Sequence, residues 1–169
     1  MRVIADMTAY DPVVWHEMFV MVGGASAALA GLIFVAVSLN HEDILKIPAL
    51  PALAARTLSI LIALLLFSVV GLIPGQPVSV FGVEVLVIGV VLAVIVLGTT
   101  LRNLGGSELL KWRLSLVSLA VVASLPAVLA GISIIVGIGG GLYWLVGEFA
   151  AGIVVSVYYG WILLIEIRR

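Results

Sequence analysis

Cysteine is absent from this chain. Disulfides, thiolate metal sites and cysteine nucleophiles are excluded with it. Charge is scarce as well. Lys and Arg number 8, Asp and Glu 9 and His 2, so charged residues make up 10% of the chain and the net charge is −1. A typical soluble domain carries about 25% charged residues. There is no basic excess to hold a nucleic acid.

The scarcity of polar groups also narrows the chemistry. The two histidines, His16 and His41, are each followed by a glutamate. A zinc-binding HExxH motif needs a second His one helical turn on. Val20 and Leu45 occupy those places, so the motif fails twice. No Asp falls inside an apolar run, which argues against an intramembrane aspartyl pair. Ser26 lies about 15 Å deeper than His16 by helical rise, out of reach for a Ser–His pair. The glycine cluster GIGGG at 137–141 is too short for a nucleotide loop and lacks its Lys. The sequence therefore offers no catalytic residue, metal site or cofactor site, and a non-enzyme is expected.

What remains is hydrophobic. Apolar residues make up 64% of the chain, and its mean hydropathy is +1.37. A water-soluble fold of this length could not cover so much apolar surface, so the class is an integral membrane protein. Uncharged runs at 18–40, 57–83, 85–101, 114–147 and 149–165 locate the crossings. The GIGGG turn divides the longest run, and LIPGQPVSV at 72–80 breaks the middle of the chain. We expect an all-α bundle of five transmembrane helices at about 13–39, 55–73, 78–101, 113–137 and 141–165. Residues 1–169 then form a single transmembrane domain without a soluble domain. Residues 1–12 lack the basic start of a signal peptide, so the first span is expected in the mature protein.

Seven of the eight basic side chains fall on one side of this map: Lys46, Arg56, Arg102, Lys111, Arg113, Arg168 and Arg169, against Arg2 alone. The positive-inside rule makes that side cytoplasmic, with the N-terminus outside and the C-terminus inside. Tyr10, Trp15, Tyr143 and Trp144 fall near outer ends, and Trp112, Tyr158, Tyr159 and Trp161 near inner ends, as interfacial aromatics should.

Small residues mark helix packing, because lipid tails are as apolar as leucine and only close backbone approach draws helices together. Gly23, Ala27 and Gly31 are spaced by four, as are Gly24 and Ala28, and Gly152, Ser156 and Gly160. They pack within the monomer or at a subunit interface. Glu17, Gly24, Gly31 and Ser38 are seven apart and share a face. Glu17 is therefore expected on the close-packing side, away from lipid. Glu148 starts the Gly152 stripe. Glu84 keeps only apolar neighbours, Ile88, Val91 and Ile95. By rise from the outer ends, Glu17 lies about 6 Å deep, Glu84 about 9 Å and Glu148 about 10 Å.

Acids inside a bilayer are costly and mark function by default. Two readings stay open. Each Glu is satisfied singly by protein groups or the headgroups, or His16, Glu17, Glu84 and Glu148 converge on an outer polar pocket for a cation or proton. Pro126 in the middle of span four is expected to kink it.

GGASAALAGLIFVAVSLN in the first span, with RTL and GLIPGQ further on, resembles a family of small multi-span membrane proteins of actinobacterial type. The resemblance covers roughly residues 14 to 92. It implies a bacterial inner-membrane location, and no function or catalytic residue transfers with it, although some relatives carry names such as modulator of a membrane protease. The expected function is that of a helix-packing partner, assembly or regulatory factor in the cell membrane, oligomeric with itself or bound to another membrane protein. The alternative is a small homo-oligomeric cation or proton channel with an acidic outer vestibule.

Overall fold

The computed structural model describes residues 8–47, 50–102, 121–122 and 124–166. A 3-10 turn, Pro12–Trp15, leads into α1, His16–Leu39. Asp11 caps that turn by accepting the Val13 N–H at 3.0 Å, and Pro12 takes the early position where no N–H is needed. A short helix α2, His41–Lys46, precedes α3, Leu50–Gly71. Then follow α4, Val78–Arg102, α5, Leu125–Val136, and α6, Tyr143–Glu166. No strand occurs among the described residues.

Turn chemistry sets the boundaries. Pro74 and Gly75 hold the α3–α4 connection, and Gly75 takes the positive φ of 69° that a type II turn asks of its third residue. α5 ends at Gly137, whose left-handed φ of 74° lets its N–H reach the Ser133 carbonyl.

The architecture is an all-helical bundle. Among the described residues, four helices are long and apolar enough to cross a membrane, at Pro12–Leu39, Leu50–Gly71, Val78–Leu101 and Tyr143–Ile165. Of the expected span at 113–137, the described residues show a helical pair at 121–122 and α5, a helix shorter than a crossing. Residues 113–120 and 123 lie outside the described residues, as do Arg2, Lys111, Arg168 and Arg169. The span expected at 55–73 begins at Leu50 instead. Arg56, counted as a cation between spans, lies inside that helix.

α3 is the central helix. It packs against α1, α4 and α6, and α5 packs against α4 and α6. One end of the bundle is filled by phenylalanines from four helices. Phe19 makes edge contacts with Phe81 at 6.1 Å and with Phe149 at 6.0 Å, and Phe67 lies 6.4 Å from Phe149. Phe19 also fills the space beside Gly71. Ile44, Leu50, Ala54 and Leu163 form a smaller cluster at the opposite end.

α4 and α5 meet more closely than side chains allow. A Cβ on Gly131 would lie 2.6 Å from the Leu86 backbone, and one on Gly89 3.0 Å from the backbone of Ala127 and Val128. Here the absence of a side chain lets two backbones touch. α1 is peripheral by contrast. Only 17% of its membrane-length window is buried, against 50% for α3.

Candidate functional site

The three glutamates do not gather. Glu148 turns into the bundle, is fully buried, and accepts the Ala127 N–H at 3.2 Å. Ala127 is the third residue of α5, where a backbone N–H has no partner within its own helix. A carboxyl group at a helix N-terminus also faces the positive end of the helix dipole. Glu148 is thus a cap supplied across helices, by one oxygen. Its Oε1 accepts no hydrogen bond. Pro126 sits in the first turn of α5, where a kink in a continuous helix was expected. A proline fits that position because its missing N–H would have no partner there.

Glu84 is half-buried and accepts a hydrogen bond from the Gln76 amide in the α3–α4 turn. His16 and Glu17 are exposed. Among the described residues, no three His, Asp or Glu side chains group as metal ligands would.

Helical spacing places Glu17 with Gly24, Gly31 and Ser38, and all four are indeed exposed together. The direction is the reverse of that expected: the face looks outward. The inward face of α1 is taken by Phe19, Val22 and Ser26, whose burial fixes the rotation of the helix. Among the small residues of α1, Gly23 lies against Ser68, where a Cβ would meet the Ser68 Cβ at 3.0 Å. Gly24 and Gly31 have nothing within 4 Å, and Ala27 and Ala28 are exposed. The α6 stripe is turned inward. Gly152 lies against Leu64 and Ile60, Ser156 is buried, and Gly160 lies against Ile33.

A second polar cluster lies at the other end of the bundle. Arg56 is only 4% exposed. Its guanidinium lies over the Tyr159 ring, 5.6 Å from the centroid, and its Nε donates to Thr99 Oγ1 at 3.3 Å. Thr57, Thr100, Ser156 and Tyr159 are buried as well. Thr57 and Thr100 return their hydroxyls to carbonyls of their own helices, at 2.9 and 2.7 Å. Counting Arg56 as a loop charge and Tyr159 as an interfacial aromatic hid this cluster. The available signal is Pro51. As a first-turn residue it starts α3 early enough to carry Arg56 more than a turn inside.

Compared with known protein families, curated proteins and solved structures, the chain matches none of them. The resemblance read at residues 14 to 92 gains no support there.

Proposed function

We propose that this chain is a non-catalytic, membrane-embedded partner that assembles through the outward face of α1, with a second copy of itself as the first candidate. The observation that carries the reading is that face: Gly24, Ala27, Ala28 and Gly31 are exposed, and nothing lies within 4 Å of a Cβ built on either glycine. Small residues on a lipid-facing surface give up side-chain packing, whereas against another helix they permit close approach. Glu17 and Ser38 stand at the two ends of the same face and would be covered with it.

A cation or proton channel would need the acids on one wet path. Glu148 and Glu84 instead accept hydrogen bonds from Ala127 and Gln76, which supports the partner reading. We read the setting as a bacterial inner membrane crossed five times, with α5 as part of the fourth crossing. Lys46, Arg56 and Arg102 share one end of the bundle, which supports placing that end and the C-terminus in the cytoplasm.

The absence of cysteine makes the test direct, since any introduced thiol is the sole one. Gly24→Cys and Gly31→Cys are expected to give disulfide-linked dimers in native membranes, and Val94→Cys, on the exposed side of α4, is not. A monomeric mass in mild detergent, with no cross-link at either α1 position, would overturn self-assembly.

A further inference from the structure

Arg56 carries a charge that the described structure does not neutralise. The ion pair among the described residues is Lys46–Asp43, on the exposed helix α2. Among the described residues, no carboxylate lies within ion-pair distance of Arg56. It lies six residues past the start of α3, about 9 Å along the axis. A cation so near a helix end ordinarily extends its stem to reach the headgroups. Arg56 is folded inward instead, against Tyr159 of α6 and Thr99 of α4.

The guanidinium has five N–H donors. Nε is used on Thr99, and the flat face on the Tyr159 ring. The terminal nitrogens donate to no described group. Two further hydroxyls nearby are also unspent. Tyr159 Oη and Ser156 Oγ are buried without a hydrogen-bond partner. Both belong to the inward face of α6 that meets α3. Gly152 touches Ile60 and Leu64 and Tyr159 meets Arg56, which places Ser156 between those two contacts. Two helices, α3 and α6, therefore bring one cation without a described counter-ion and two idle hydroxyl donors to the same end of the core. A buried charge is tolerated when it is paired and hydrogen-bonded.

We propose that Arg56, Tyr159 and Ser156 form a binding site for a phosphate-type oxyanion. The arginine fork binds two oxygens of such a group at once, and the hydroxyls need further acceptors that a carboxylate, with two oxygens, supplies less well. The depth of the site fits the phosphate of an anionic phospholipid held between helices, and the same chemistry accepts free phosphate.

The test follows thermal unfolding of the purified full chain in neutral detergent. The probes are short-chain phosphatidylglycerol, short-chain phosphatidylcholine, and inorganic phosphate against chloride at equal ionic strength. Phosphatidylglycerol is expected to raise the Tm and phosphatidylcholine is not. Stabilisation by inorganic phosphate of equal size assigns the site to a free anion, and stabilisation by the lipid alone assigns it to a headgroup. Arg56→Gln is expected to abolish the response. Tyr159→Phe keeps the ring under the guanidinium and breaks no described hydrogen bond, so it tests the site even where Arg56→Gln does not fold. Its expected effect is an affinity lower by about tenfold, the worth of one hydrogen bond to a charged group. No rise in the Tm with phosphatidylglycerol or phosphate overturns the proposal. So does a Tyr159→Phe chain that responds like the parent.

Discussion

The carboxyl group of Glu148, on α6, accepts the backbone N–H of Ala127 in the first turn of α5. The contact joins two helices that are consecutive in the chain, and both partners are buried. Glu148→Leu leaves that N–H without an acceptor, a loss of about 1–3 kcal/mol. Glu148→Gln keeps a carbonyl oxygen in place and is expected to lose less. Thermal unfolding ranks the two, and amide exchange at the start of α5 shows whether the loss is local. Equal stability of the parent and Glu148→Leu would remove the cap from the account.

Gly131 and Gly24 predict opposite outcomes for one substitution. Gly131→Ala drives a methyl into the Leu86 backbone, which cannot move aside as a side chain can. Overpacking of this kind costs about 1–3 kcal/mol. Gly24→Ala meets open space and is expected to leave the fold intact. Unfolding of the two variants in the same detergent is the comparison, and a similar loss in both would contradict the rotation described for α1.

Bulk on the outward face of α1 should act on assembly alone. Ala28→Leu and Gly31→Leu are expected to lower the oligomeric mass in detergent with little change in unfolding temperature, since both sites are exposed in the single chain. Analytical ultracentrifugation reads the first effect and differential scanning fluorimetry the second. An unchanged mass would place any interface elsewhere.

Gly141 is strained for any other residue. Its φ is +50°, and a Cβ there would collide with the Ala9 carbonyl and the Tyr10 ring. Gly141→Ala is expected to break the joint in which Leu142 N–H donates to the Ala9 carbonyl at 2.8 Å and Gly140 N–H to the Tyr10 hydroxyl at 3.2 Å. Trp15 lies 5.0 Å from Tyr143 in this region, so a change in tryptophan emission would report the loss.

These contrasts show what periodicity carries and what it does not. Spacing by seven correctly groups Glu17, Gly24, Gly31 and Ser38 on one side of α1. It is silent on which way that side turns, because the rotation is decided by where Phe19 and Val22 find partners. α4 runs from Val78 as the preceding prolines imply, and carries Glu84 inside it ahead of the uncharged run at 85–101. α3 begins earlier than its uncharged run because Arg56 reads as an interface marker and in fact lies inside the bundle. Gly82 and Gly89 are not singled out by the sequence. They matter only in register with Ile134, Ile135 and Ala127 of a different helix. That register is a property of the pair.

The joint between Ala9 and Leu142 has a consequence for biogenesis. Its two partners are far apart in sequence, so the segment around Ala9 must wait for Leu142 to be synthesised and inserted before the joint can close. Contacts of such long sequence separation form late. This joint is therefore sealed late, and a chain truncated before Gly140 would leave the segment around Ala9 and Tyr10 untethered.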